Sequence, residues 1–209
     1  MEFGVAGGNG LLELENVAKL IGHDLQIAIS VFGFDLGEGM PTPVDYRDLP
    51  HVWDRGFYKM EPERLKAKLT SAHLVLGDIE KTLEAALADG IPAIGFIAFD
   101  MDYYSSTKRS FRVFEAGGET RLPRVFCYFD DIIWPERACY NEYVGELCAI
   151  REFNAEHDNK KISPIHLLRH TRLNSDPWND QIYVFHDFAH PLYCTTVTPS
   201  GEAYTQMPL

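Results

Sequence analysis

Asp100 and Asp102 close one apolar run, Pro92 to Phe99, and Asp130 and Asp131 close another, Arg124 to Phe129. Runs of this length and composition read as buried strands. On neighbouring parallel strands, the two acidic ends meet at one edge of the sheet. Like charges at that range are costly unless protons or a cation neutralise them. A hard divalent ion with oxygen ligands, such as Mg²⁺, is the simplest solution, with Asp100, Asp130 and Asp131 as its ligands. Asp102 is read differently, as a cap for the helix that includes Ser105 and Ser106.

A second group of residues suits a nucleotide-like cofactor. Glu2-Phe3-Gly4-Val5-Ala6-Gly7-Gly8-Asn9-Gly10 passes from a strand through a glycine turn into a helix. Glycine permits positive φ and close approach of a ligand to the backbone. The spacing departs from the G-x-G-x-x-G of dinucleotide enzymes. Asp35 ends the next strand, where an acidic side chain can hold ribose hydroxyls. Dinucleotides and S-adenosylmethionine both carry such a ribose, and Asp35 does not distinguish them.

The elements that position these residues alternate between strand and helix, which predicts βαβ units and a mainly parallel, doubly wound sheet. The expected order is strand 1–6, helix 11–21, strand 28–34, helix 62–69, strand 73–76, helix 78–89, strand 92–99, helix 105–114, strand 124–129 and helix 140–155. Strands near 165–168, 181–185 and 192–197 follow, some pairing as an antiparallel edge hairpin. Ligands of such sheets bind outside the carboxyl ends of the strands, where the acidic and glycine residues gather. The segment from Leu36 to Tyr58 is a long loop of the kind that carries function. Its Tyr46, His51, Trp53, Phe57 and Tyr58 either stack on a substrate or anchor the loop by burial. Arg47 and Arg55 are expected only to solvate it.

Composition narrows the partners. The net charge of −12 disfavours nucleic acid and favours a small neutral or cationic substrate. No apolar run reaches membrane-spanning length, and no signal peptide opens the sequence. Cys127, Cys139, Cys148 and Cys194 match no zinc pattern and read as reduced thiols of a cytoplasmic protein. His186 and His190 lie four apart, but the flanks read as strands around a turn, so a zinc site is not expected. His166 and His170 read as surface or packing residues, although a histidine near the site is an alternative proton acceptor to Asp100.

Several of these segments resemble one family. Phe34-Asp35-Leu36-Gly37-Glu38-Gly39-Met40-Pro41 resembles the "FDTFEGLP" segment of the macrocin O-methyltransferase-like family. Phe99 to Thr107 is similar to its "LDGDLYEST", Phe129-Asp130-Asp131 to its "VDD", and the opening Glu2-x-Gly4 with Gly7-Gly8 to its "E-x-G-V-x-x-G-G". The resemblance implies a class I methyltransferase fold, S-adenosylmethionine as donor, and Mg²⁺ on Asp100, Asp130 and Asp131. It also implies Asp100 as base and a sugar hydroxyl on a natural product as acceptor, and it makes homo-oligomers plausible. The donor would then meet Glu2, Gly4, Gly7, Gly8 and Asp35, and Asp78, by its place in the fold, would meet the adenine edge. Met101 stands where that family tends to have glycine, the stretch 115–123 is longer, and nothing after about residue 135 matches. The expected domain is a single one over 1–209, without the lead-in that the family carries before its first strand.

Two other readings stay open. An NAD-dependent oxidoreductase would need a Tyr-x-x-x-Lys pair at the active edge, and Tyr104 with Lys108 has that spacing. A degenerate, non-catalytic domain would bind a cofactor without transferring a methyl group. The retained carboxylates argue against it, because unneeded clustered charge costs stability.

Overall fold

The computed structural model describes residues 1–133 and 140–195. Its sheet has seven strands: β1 (Glu2–Phe3), β2 (Phe32–Asp35), β3 (His73–Leu76), β4 (Ile94–Phe99), β5 (Arg121–Phe129), β6 (Lys160–Pro164) and β7 (Ile182–Asp187). Their order is β3-β2-β1-β4-β5-β7-β6. The first five strands are parallel, β7 runs antiparallel to β5, and β6 runs antiparallel to β7. The helices are α1 (Asn9–Leu25), α2 (Pro62–Lys66), α3 (Ile79–Ala88), α4 (Tyr104–Ser110), α5 (Gly145–Glu156) and α6 (Leu168–Thr171).

Period-two alternation along the central strands builds the core. Ile97 and Phe99 of β4, Val125, Cys127 and Phe129 of β5, and Phe185 of β7 are fully buried on one face. Phe99 stacks on Phe129 at 4.7 Å, and Phe114 stacks on Phe185 at 4.1 Å. Phe111 and Phe153, from the helical layer, close the cluster edge-on. The opposite face of the same strands carries Phe96 and Phe126, both exposed.

β1 is short but central, because Glu2 and Phe3 pair with β2 on one side and β4 on the other. Gly4 follows at φ +83, and a Cβ there would lie 1.7 Å from the Asp100 carbonyl oxygen. Only glycine lets the turn after β1 lie against the end of β4.

The long segment after β2 is anchored rather than free. Asp48 is fully buried. It accepts hydrogen bonds from the Val44 amide at 2.8 Å and from both the amide and the hydroxyl of Ser105, each at 2.8 Å. This carboxylate caps α4, and it ties the loop to that helix. Asp102 does not cap, contrary to expectation, because its backbone is left-handed at φ +55 and its side chain is drawn into the acidic cluster. Arg47 also does more than solvate. It pairs with Asp45 and Glu152 and lies 4.0 Å over the Tyr104 ring.

The tail departs from expectation in register. The edge strand is Lys160–Pro164, and residues 165–168 lead into α6 instead. Its burial pattern explains the miss, since only Ile162 points fully into the core and the flanking lysines read as a polar loop. Residues 192–195 form a turn, and the rest of the expected strand at 192–197 lies outside the described residues, as does Cys139. The helix expected from Tyr140 begins at Gly145. The expected 28–34 strand is shorter, at Phe32–Asp35, and α4 passes into a 3-10 turn at Phe111. The remaining cysteines are unpaired, as expected. No helix among the described residues is long and apolar enough to cross a membrane.

Removing the Asp48 carboxylate leaves three donors unmatched inside the protein. Asp48→Ala should destabilise the fold by about 2–4 kcal/mol, and Asp48→Asn, which keeps one acceptor oxygen, by less. Urea denaturation of the three proteins measures the difference.

Candidate active site

A cavity of about 370 Å³ opens at the carboxyl ends of the parallel strands, within the range of small-ligand sites. Most sequence-predicted residues reach it. Gly4, Asp35, Asp78, Asp100, Asp130 and Asp131 line its wall. Glu2, Gly7 and Gly8 do not. A Cβ on Gly8 would strike the Leu65 side chain, so Gly8 permits packing of the turn on α2, and Gly7 faces open space. Asp35 latches the glycine turn: its carboxylate accepts from the amides of Val5 (2.9 Å), Ala6 (3.0 Å) and Gly37 (2.6 Å). Asp78 caps α3 through the Glu80 amide at 3.1 Å.

The parallel pairing of β4 with β5 sets Phe99 beside Phe129, so the residues after each strand meet. One carboxylate oxygen each from Asp100, Asp130 and Asp131 lie within 4.8 Å of one another. Further acids surround them. The Asp102 amide donates to Asp131 Oδ2 at 2.8 Å, and the Asp131 amide donates to Glu146 Oε2 at 3.2 Å. Glu146 is wholly buried in the first turn of α5, and its Oε1 has no partner. Glu2 lies beneath, 4% exposed, with Oε2 unpartnered as well. Asp130 is steadied from the other side. Tyr128 donates its hydroxyl to Asp130 Oδ1 at 2.7 Å, and Gln181 Nε2 donates to the Asp130 carbonyl at 2.6 Å.

The electrostatic consequence is large. Burial and the neighbouring carboxylates Asp131, Asp130 and Asp35 push the Asp100 carboxyl up to about 8. Burial, with Asp100 and Asp35 nearby, brings Glu2 to about 8. Burial carries Asp102 to about 7, held back by its hydrogen bond with Asp131. Asp131 and Glu146 are raised well above the ordinary range, again by burial first and by neighbouring acids second. The three converging oxygens fit a divalent cation, whose ligand distances of about 2.0–2.6 Å place oxygens at such separations. Glu146 and Glu2, each with one buried oxygen unpartnered, belong to the same acidic cluster.

Trp53 and Tyr58 from the loop after β2 complete the wall, with ring centroids 5.8 Å apart. Trp53 is buried, whereas Tyr46, His51 and Phe57 are exposed and lie off the cavity wall. Trp53 thus serves both expected roles, buried in the loop and lining the cavity, whereas Tyr58 lines the cavity while exposed. No described histidine lines the cavity. His186 faces the Tyr193 hydroxyl at 2.9 Å and His190 faces the Gly118 carbonyl at 2.9 Å. Tyr104 donates to Glu152 and Lys108 pairs with Glu156, so that pair turns toward α5, away from the chemistry an oxidoreductase would need. Sequence reasoning missed Glu146, Asp48 and the inward turn of Asp102. No local signal marks the first two, which matter only through the packing of α5 and α4.

This strand order with its antiparallel β7 can be set beside solved structures. The calicheamicin methyltransferase CalS11 is similar over 89% of this chain and 70% of its own, with 22% identity and a TM-score of 0.63. The O-methyltransferase NovP is similar over 88% of this chain and 69% of its own, with 16% identity and a TM-score of 0.58. The fold is that of the class I methyltransferases. No protein-family model matches the chain, and no curated protein matches it.

The raised carboxyls make stability depend on pH in a definite direction. An acid with its folded-state pKa raised binds more protons folded than unfolded. Its contribution is full below the ordinary carboxylate range and is lost as pH rises through about 7 to 8. In EDTA the melting temperature should therefore fall between pH 5 and pH 8.5. Saturating Mg²⁺ should restore it by roughly 5–10 °C at pH 8, corresponding to about 2.7 kcal/mol at a hundredfold excess over Kd, and by much less at pH 5. Scanning calorimetry at both pH values reads the difference.

Proposed function

We propose that this chain is an S-adenosylmethionine-dependent O-methyltransferase acting on a hydroxyl of a small molecule, with Mg²⁺ held by Asp100, Asp130 and Asp131. The observation that carries the reading is the convergence of those three carboxylates at the β4 and β5 ends, on the wall of the cavity. Support comes from the strand order and from neighbours named as methyltransferases, one of them an O-methyltransferase. The motif resemblance to the macrocin family extends the reading to a sugar hydroxyl of a natural product. A degenerate domain is disfavoured, because an idle chain has no use for this many buried, mutually repelling acids.

Methyl transfer is an in-line displacement: the acceptor oxygen bonds to the methyl carbon as its bond to sulfur breaks, and the acceptor proton leaves. Most of the protein's task is alignment and removal of that proton. The turn after β1, with Gly4 and Ala6, and the residues after β2 and β3, with Asp35 and Asp78, line the cavity and would hold the donor. Asp100 stands on the cavity wall, where its ionised carboxylate would accept the proton of the acceptor hydroxyl. Tyr128 and Gln181 fix Asp130, and the Asp102 amide fixes Asp131, so the ligand oxygens are preorganised. A divalent cation bound there would lower the hydroxyl pKa and stabilise the developing alkoxide. Trp53 and Tyr58 stand on the cavity wall, where their rings can pack against a ligand.

Calorimetric titration with S-adenosylhomocysteine, with Mg²⁺ and with EDTA, tests the donor site. Micromolar binding is expected, with a Mg²⁺-dependent heat that Asp130→Ala abolishes. A folded protein that binds neither S-adenosylmethionine nor S-adenosylhomocysteine would contradict the reading.

A further inference from the structure

The loop after β2 presents two chemically different sides. This inference concerns the acceptor and rests on the methyltransferase reading of the cavity. The loop is locked across its neck: the Met40 amide donates to the Phe57 carbonyl and the Gly56 amide to the Met40 carbonyl, each at 2.8 Å. Gly39 makes this close approach possible. It sits at φ +87, and a Cβ there would lie 2.5 Å from the Phe57 oxygen. The inner side gives Trp53 and Tyr58 to the cavity. The outer side forms a groove that shares Leu36, Gly39, Met40 and Pro41 with the cavity as a common wall.

The charged residues of that groove are Arg55, Lys59 and Glu38. Lys59 lies along the loop backbone, with Cε 3.5 Å from where a Gly56 Cβ would be, and it lines the same groove as Arg55. Among the described residues neither cation has a side-chain hydrogen bond, ion pair or ring contact, and Glu38 pairs with neither. In a chain with 31 acidic and 19 basic residues, many cations pair with carboxylates. Lys19, Arg47, Lys66, Lys108, Arg121 and Arg169 have all done so. Two cations left unpaired in one groove beside an acidic cavity are available to a ligand. A guanidinium fork matches the oxygens of a phosphate, and an ammonium adds a point charge.

We propose that the acceptor carries a phosphate ester, which Arg55 and Lys59 bind in this groove while its hydroxyl reaches Asp100 through the cavity. The local positive rim thus overrides what the net charge of −12 suggests about the substrate. Arg55 and Lys59 set specificity and take no part in the chemistry.

The test uses inorganic pyrophosphate as probe, titrated calorimetrically in EDTA at low salt, with citrate and S-adenosylhomocysteine titrated in parallel. Pyrophosphate should bind the wild type, and its affinity should fall roughly tenfold in R55E/K59E. It should hold in K68E/K81E, which reverses two other unpaired, exposed lysines. S-adenosylhomocysteine should bind all three proteins equally. The proposal is overturned by absent pyrophosphate binding, by equal loss in K68E/K81E, by tighter binding of citrate, or by a loss of S-adenosylhomocysteine confined to R55E/K59E, which would assign the cations to the donor. Failure of S-adenosylhomocysteine to bind any of the three proteins would instead strike the methyltransferase reading, while the pyrophosphate pattern would still report on the groove.

Discussion

Repulsion among carboxylates that the fold does not let separate is the constraint on which this structure turns. Asp100, Asp130 and Asp131 are brought together by the pairing of β4 with β5, and Asp102, Glu146 and Glu2 stand close behind. Water would ordinarily screen such a group, but Asp131, Glu146 and Glu2 are all buried. The cluster then has two ways to exist: holding protons, as the raised carboxyls indicate, or holding a cation. Exchange of protons for a metal at neutral pH is the natural working range of such a site.

The rest of the molecule keeps these acids in place. Apolar stacking of Phe99 on Phe129 fixes the two strands directly beneath the acidic ends. Gly4 allows the turn after β1 to lie against the Asp100 carbonyl, and Asp35 latches that turn to β2. Asp48 then binds the loop to α4, so the wall that carries Trp53 and Tyr58 is set by a buried carboxylate with matched donors. The contrast between Asp48 and Asp131 is instructive. Both are buried aspartates, yet Asp48 meets three donors, whereas Asp131 faces other acids.

Much of the site was legible in the sequence because strand ends in a parallel sheet share one edge, so apolar runs closing in Asp100 and in Asp130-Asp131 had to converge. The alternation of strand and helix predicted the doubly wound sheet for the same reason. What was not legible depended on tertiary packing. Asp102 reads locally as a cap, but a left-handed backbone turns it inward and Asp48, far away in sequence, caps α4 in its place. Glu146 carries no motif and gains its meaning only when α5 packs on the loop after β5. The edge strand at Lys160–Pro164 hid because an edge strand needs only one inward apolar residue, here Ile162.

The central claim is that the carboxylates at the ends of β4 and β5 are a divalent-cation site. Titrating the protein into Mn²⁺ at pH 8 and following the electron paramagnetic resonance signal of the free ion tests it most directly. The account predicts loss of the free-ion signal up to one equivalent, its return on adding excess Mg²⁺, and no loss with Asp130→Asn. A free-ion signal unchanged by the folded wild-type protein would contradict the account.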